Sequence, residues 1–265
     1  MDIRVARISI APVKSLGLVH PDRVELQPGG VQGDRRFWLV DEDGRLLNNK
    51  RSGPLVTIRP EWNEETRELT LRFPDGTSVG GVVELGQGVT PALYGRPHPS
   101  RRVLGPWEDA LAAHVGQPVR LLWSESHATD RGPLGGEVSL VSRASLERLG
   151  EEAGSVEPVD GRRFRMLLEL EGSVAHGEDQ WIGNAVRVGS AKIAVNGDVG
   201  RCVVTSHDPD TGVPDLDTLG TLARYRPDGR AEPLPFGVYG SVTASGHVSV
   251  GDPVHPLGPH GPLAG

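Results

Sequence analysis

Short stretches that alternate apolar and polar residues, cut every few positions by a turn, constrain this chain more than any other feature. IRVARISI (3–10) alternates, and VELQP follows after a turn. RRFWLVDEDGRLL reads as a hairpin closed at Asp43-Gly44, and LVTIRPEWNEETRELTLRF as a second, with another Asp-Gly turn at Asp75-Gly76. Thirty-six glycines and 22 prolines among 265 residues favour many short strands over a helical bundle. Helices are expected only at WEDALAAHVG (107–116), ending at Gly116; at RASLERLGEEAG, capped by Ser142; and at LDTLGTLARY. RFRMLLELEG and CVVTS read as strands, and FGVYGSVTASGHVSVGDPVHPL as a hairpin. The expected fold is mainly β with some α, in two β-rich units, 1–122 and 123–265. Helices decorate the second, and the unpatterned run 125–137 is an exposed loop.

The net charge of −7 argues against non-specific nucleic-acid binding. No apolar run approaches the ~20 residues of a membrane span. The first residues lack the apolar region and cleavage site of a signal peptide, and the single cysteine suits a reducing compartment, so a cytoplasmic location is expected.

That cysteine, Cys202, stands in DVGRCVVTSHDPDTG (198–212). It cannot form an intrachain disulfide, which leaves a buried filler, a reactive thiol or a metal ligand. Arg201 beside it would favour the thiolate, the form that attacks or binds a soft metal. In a strand the two would occupy opposite faces. DPDTG is no EF-hand loop, because Gly212 is fifth from Asp208 and no glutamate follows in register. His207 has no second histidine at ligand spacing, which disfavours zinc. Three basic clusters, PVKSLG (12–17), GDRRFWLV (33–40) and GRRFRM (161–166), suit a phosphate-bearing anion. In a strand, Arg163 and Arg165 would share one face and Arg162 the other. GxGxxG, Walker and Gly-x-Ser-x-Gly motifs are missing from the sequence.

Taken in order, PVKS, GDRRFW, FR (164–165), RCVVTSHDPDTG and FGVYGSV…VGDPV resemble the MOSC family. The resemblance is to the branch with an N-terminal MOSC β-barrel domain, which includes the mitochondrial amidoxime-reducing components and bacterial reducers of N-hydroxylated compounds. It covers nearly the whole chain and implies an N-terminal β-barrel-like domain followed by a β-barrel MOSC domain. It also implies a molybdenum cofactor (molybdopterin) whose metal is held by Cys202. Lys14, Ser15, Arg36 and Arg165 would contact the pterin and its phosphate, with Arg35 a stand-in for Arg36. Arg201, Thr205, Ser206 and Asp208 would lie by the cysteine, Asp208 orienting water or substrate, and Phe236 and Gly237 near the same pocket. The family also carries an association with pyridoxal phosphate binding.

The activity implied is an oxidoreductase that removes oxygen from an N-oxygenated small molecule. One cysteine cannot hold a four-cysteine iron–sulfur cluster, so electrons would come from a separate ferredoxin or flavoprotein. The alternatives are sulfur transfer through a persulfide on Cys202, or a cofactor-binding module with other chemistry. Two departures bear on substrate range. The FR pair is followed by Met166-Leu167 where amidoxime reducers commonly carry Pro-Asn, and LLNNKRSGP (46–54) offers Lys50-Arg51 in place of an Arg-Gln pair.

Overall fold

The computed structural model describes residues 2–126 and 136–259. The fold is mainly β, as the alternation requires. A seven-stranded sheet runs in the order Arg4–Ile8, Leu168–Glu171, Val138–Ser142, Pro235–Ala244, Ala191–Gly200, Asn184–Val188, Val254–Pro259. It curls until its edges meet. Arg4 bridges Pro253, and the Val254 amide donates to the Ile3 carbonyl at 2.8 Å. The central strand Pro235–Ala244 is buried along most of its length, so its sequence shows little alternation.

The N-terminal unit carries a five-stranded sheet ordered Leu46–Leu47, Phe37–Val40, Arg120–Ser124, Ser100–Leu104, Glu84–Val89. A three-stranded meander, Arg59–Asn63, Glu68–Arg72 and Ser78–Val82, adjoins it. Trp107 closes the core beneath, its indole donating to the Leu69 carbonyl at 3.1 Å. Both Asp-Gly turns form, with Gly44 and Gly76 left-handed (φ +75° and +87°).

Strand pairing crosses the linear division at 122–123. Arg4–Ile8 pairs with Leu168–Glu171, and Arg23–Gln27 with Gly246–Ser249. The C-terminal sequence expected to be a hairpin therefore splits: Pro235–Ala244 joins the large sheet, and Gly246–Ser249 pairs with the N-terminal strand. Val5, Ile8, Val24 and Leu26 belong to the core of the C-terminal unit. No short-range pattern encodes such pairing, because the paired residues lie far apart in the chain, as Arg4 and Glu171 do.

The three expected helices are present: α1 (Trp107–Val115), α2 (Arg143–Glu152) and α3 (Thr218–Tyr225). Ser142 accepts from the Ser145 amide and Asp217 from the Gly220 amide, each satisfying an end group of its helix. Helix α2 is the crossover that a parallel pair, Val138–Ser142 with Leu168–Glu171, requires. Leu146, Leu149 and Leu222 of α2 and α3 pack on Phe164, Met166 and Phe236.

Behind that cluster, burial, reinforced by the charges of Arg226 and Arg148, holds the His176 imidazole down at about 4. Its ring lies 5.9 Å from Tyr225 and 5.7 Å from Phe236, and neither nitrogen has a hydrogen-bond partner among the described residues. Unfolding returns the group to its ordinary 6.5. The unfolded chain therefore takes up the proton first, and stability is lost as pH falls from 6.5 through about 4. The loss is about 2 kcal/mol after discounting for partial exposure. Burial moves Glu178 upward, so its contribution runs the other way. His176→Phe is expected to flatten the acid limb of stability. Urea midpoints at neutral pH and at about pH 5 check this, and an unchanged slope in the variant would assign the limb elsewhere.

Candidate functional site

The strand Ala191–Gly200 delivers Cys202 to a cleft between the two units. The chain does not continue as a strand there. The Thr205 amide and hydroxyl both donate to the Cys202 carbonyl, at 3.0 and 2.9 Å, winding Val203–Ser206 into a single 3-10 turn that Cys202 begins. The β-branched run CVVTS is thus overruled by local hydrogen bonding, and the opposed faces expected for Cys202 and Arg201 do not exist. Arg201 turns inward. Its Nε donates to the Phe236 carbonyl at 2.9 Å, and its terminal nitrogens reach the Phe164 carbonyl at 3.2 Å and Met166 Sδ at 2.8 Å. The Phe164 ring lies 5.2 Å from the guanidinium. Met166, the departure from the family pattern, is therefore a hydrogen-bond partner of the arginine beside the thiol.

Across the cleft, Lys14 and Ser15 are buried in the first bend. The Lys14 amide donates to the Phe37 carbonyl at 2.7 Å, and Asn49 Nδ2 to the Ser15 carbonyl at 2.7 Å. Arg35 pairs with Asp34 and donates to the Arg165 carbonyl at 3.1 Å, while Arg165 reaches the Leu16 carbonyl at 2.7 Å. Arg35 and Arg165 thereby tie the two units together at the site.

These groups enclose a cavity of about 560 Å³, with Cys202, Thr205, Gly200 and Met166 on one side and Lys14, Ser15, Arg35 and Asn49 on the other. Among the described residues, seven basic side chains line it against two acidic ones, in a protein of net charge −7. Backbone strain gathers at the same place. Of the seven non-glycine residues with left-handed φ among the described residues, four line the cavity: Ser15 (+76°), Tyr94 (+50°), Arg35 (+50°) and Arg165 (+53°). Such conformations cost about 1 kcal/mol or more each and concentrate where function over-determines them.

Residues 126–255 match the MOSC domain, and residues 2–91 match the MOSC N-terminal β-barrel domain. The chain belongs to the MOSC family. Mitochondrial amidoxime-reducing component 1 of Xenopus laevis is 26% identical over 95% of this chain and 81% of its own length. The Homo sapiens protein of the same name is 27% identical over 96% and 83%. A molybdenum cofactor sulfurase of Drosophila grimshawi is 27% identical over 89% of this chain, which corresponds to 32% of that longer protein.

Within this MOSC chain, some expected site residues stand apart from the cavity. The Arg36 guanidinium lies 4.9 Å from the Trp123 ring and donates to the Ser124 carbonyl at 3.4 Å, so Arg35 is the arginine that lines the site. Phe236 is fully buried and stacks on Phe164 at 4.4 Å. Gly237, at φ +75°, leaves no room for a side chain, since a Cβ would sit 2.6 Å from the Leu140 carbonyl oxygen and 2.7 Å from Met166 Cε. Both back the wall without lining it. Ser206 is buried, its carbonyl accepting from the Asp215 and Leu216 amides at 3.0 and 3.3 Å. Asp208 Oδ1 accepts from the Asp210 and Thr211 amides at 3.0 and 2.8 Å and from the Thr211 hydroxyl at 2.9 Å. It shapes the DPDTG turn beside the cavity.

Nor does GRRFR form a strand. Gly161–Phe164 is a 3-10 turn capped by Asp160, and the strand begins at Leu168. Arg162 and Arg163 accordingly leave their expected faces for carboxylates. Arg162 chelates Asp210 at 2.8 and 2.7 Å, and Arg163 chelates Asp215 at 2.6 and 2.7 Å. Hydrogen bonds from these arginines hold both carboxyls below the usual range.

The sequence did not reveal Asn49, Tyr94, Arg96, Glu232 or Tyr239, which also line the cavity. Glu232 Oε2 accepts from the Gly200 amide at 2.8 Å, and a Cβ at 200 would crowd Glu232 Cβ at 2.8 Å and the Pro233 carbonyl oxygen at 3.0 Å. The glycines at 197 and 200 were the available signal, marking close approach to a strand without naming what approaches. Of the loop 125–137, residues 127–135 lie outside the described residues, whereas Gly136 and Glu137 line the cavity. Among the described residues no helix is long and apolar enough to cross a membrane.

Proposed function

We propose that this MOSC protein is a molybdenum-cofactor oxidoreductase that reduces N-oxygenated small molecules, with Cys202 as the protein ligand to the metal. The observation that carries the reading is one thiol opening into a basic cavity between the two units. Among the described residues no three His, Cys, Asp or Glu side chains converge as a metal site. A metal at Cys202 would therefore need sulfur ligands of its own, as a pterin dithiolene supplies. Lys14, Ser15, Arg35 and Arg165 fit the phosphate and polar edges of such a cofactor.

When bound, the cofactor supplies the centre that accepts the substrate oxygen and passes on two electrons. Reduction of R–NHOH to R–NH2 and water consumes two electrons, from a separate ferredoxin or flavoprotein, and two protons drawn ultimately from solvent. The chain's own residues then have distinct tasks. Cys202 holds the metal through its thiolate. Arg201 fixes the cysteine-bearing turn against the Phe236 and Phe164 carbonyls. Walls from both units line the space the reacting atoms would occupy.

Expression in a host that makes the cofactor, with molybdenum per chain read by mass spectrometry, tests this. The wild type is expected to carry near one metal per chain, and Cys202→Ala to lose most of it. Retention of metal by the variant would remove the ligand assignment. A wild type free of molybdenum but carrying a persulfide on Cys202 would establish sulfur transfer instead.

A further inference from the structure

The strands Ala92–Leu93 and Arg96–Pro97 form a minimal hairpin, closed by Tyr94-Gly95 with both φ positive (+50° and +78°). This is the mirror-image turn that suits strand twist, and it calls for asparagine, aspartate or glycine at its first position. Tyrosine there is strained and, at 43% exposed, is not retained for burial in a core. Its ring stands 5.1 Å from Lys14 Nζ, on the rim of the cavity.

Two cations stand on the same rim. Arg96 follows in the hairpin, and Lys50 sits on the exposed loop that the Asn48 side chain stabilises, accepting from the Lys50 amide at 3.1 Å. The deeper arginines are engaged: Arg163 with Asp215, Arg35 with Asp34, and Arg165 and Arg201 with backbone carbonyls. Neither the Arg96 nor the Lys50 side chain has an ion-pair partner among the described residues. The cavity thus has an inner set of positioned donors and an outer set made of a strained, exposed aromatic ring and two cations without an ion-pair partner among the described residues. An outer set of that composition matches a flat organic body bearing an anionic group.

We infer that Tyr94, Arg96 and Lys50 form a substrate-selecting rim that favours planar, anionic molecules, Tyr94 packing against the ring system and the two cations pairing with a carboxylate or equivalent anion. What happens to the bound molecule rests on the reductase reading, but the selectivity does not.

Isothermal titration of the cofactor-loaded protein with benzamidoxime and with its 4-carboxylate separates the two questions. The wild type is expected to bind the carboxylate about tenfold more tightly. Arg96→Ala and Lys50→Ala should each erase most of that preference and leave the neutral probe unaffected. Tyr94→Asn should weaken both probes several-fold while raising the melting temperature, because asparagine tolerates the left-handed turn. A role confined to the fold would not couple higher stability to weaker binding. Equal affinity of the wild type for both probes would overturn the proposal, as would equal losses for both in the Arg96 and Lys50 variants. A fall in molybdenum per chain in Arg96→Ala would reassign that residue to the cofactor and overturn it too. Probes that bind with the expected preference but are not reduced with a viologen donor would instead refute the reductase reading and leave the rim intact.

Discussion

Gly212→Ala is expected to destabilise the protein by about 3–5 kcal/mol, among the largest effects of any single methyl group in this chain. Gly212 is left-handed (φ +73°), which for alanine costs about 1 kcal/mol. The larger part is contact. A Cβ at 212 would lie 2.1 Å from the Gly53 carbonyl oxygen, and one at 53 would lie 2.2 Å from the Gly212 oxygen. Here the DPDTG turn of one unit docks backbone to backbone on the other. Asp210 in the same turn pairs with Arg59 of the N-terminal unit at 2.9 Å and with Arg162 of the C-terminal unit at 2.7 Å. Pushing the turn away breaks the link to Arg59 and widens the cleft over Cys202. Molybdenum per chain is therefore expected to fall along with the urea midpoint. Gly44→Ala is the control, because Gly44 shares the left-handed conformation with nothing within 4 Å of its Cβ. It should cost only about 1 kcal/mol and leave the metal in place. Equal costs at 44 and 212 would show that conformation, and not docking, is what Gly212 supplies.

Arg201→Lys is expected to behave almost as badly as Arg201→Ala. The guanidinium bonds three acceptors on two segments, the Phe236 and Phe164 carbonyls and Met166 Sδ, while facing the Phe164 ring. A lysine keeps the charge but cannot reproduce that planar fork. Phe236 and Phe164 are buried, so their carbonyls would be left short of a donor, at about 1–3 kcal/mol for each unsatisfied group. The displaced segments carry the neighbour of Cys202 with them. Both variants should lower the urea midpoint, and both should lower molybdenum per chain although the thiol is untouched. If Arg201→Lys retained wild-type metal content while Arg201→Ala lost it, Arg201 would act through its charge and the positioning role would be refuted.

Much of this molecule was legible in its sequence, for identifiable reasons. Alternation at period two specifies local hairpins and the Asp-Gly dipeptides their turns, and 37–47 and 59–72 pair as expected. Ser142, Asp217 and Gly116 mark helix ends because caps act within a single turn of chain. The isolated Cys202, together with the ordered motifs around it, identified both the family and the thiol at the cavity. Lys14, Ser15 and Arg165 follow from the same motifs and line it, whereas the arginine expected there, Arg36, gives way to its stand-in Arg35.

Tertiary structure decided what depends on distant partners. The first strand belongs to the C-terminal sheet because its hydrogen-bonding edge meets Leu168–Glu171, a match that no local pattern records. GRRFR and CVVTS have strand-like composition, yet Asp160 caps one into a turn and Thr205 closes the other. Arg36 and Arg35 are adjacent in sequence, and only the left-handed backbone at Arg35 sends one guanidinium to the cavity and the other to Trp123. Tyr94 and Arg96 carry no motif at all. They reach the rim because a two-residue turn of unfavourable composition is held there by the surrounding fold. Sequence determined which residues could form strands and caps and which one carries the thiol. Only the packed chain determined which of them face the same space, because that depends on backbone geometry and long-range pairing, not on residue type.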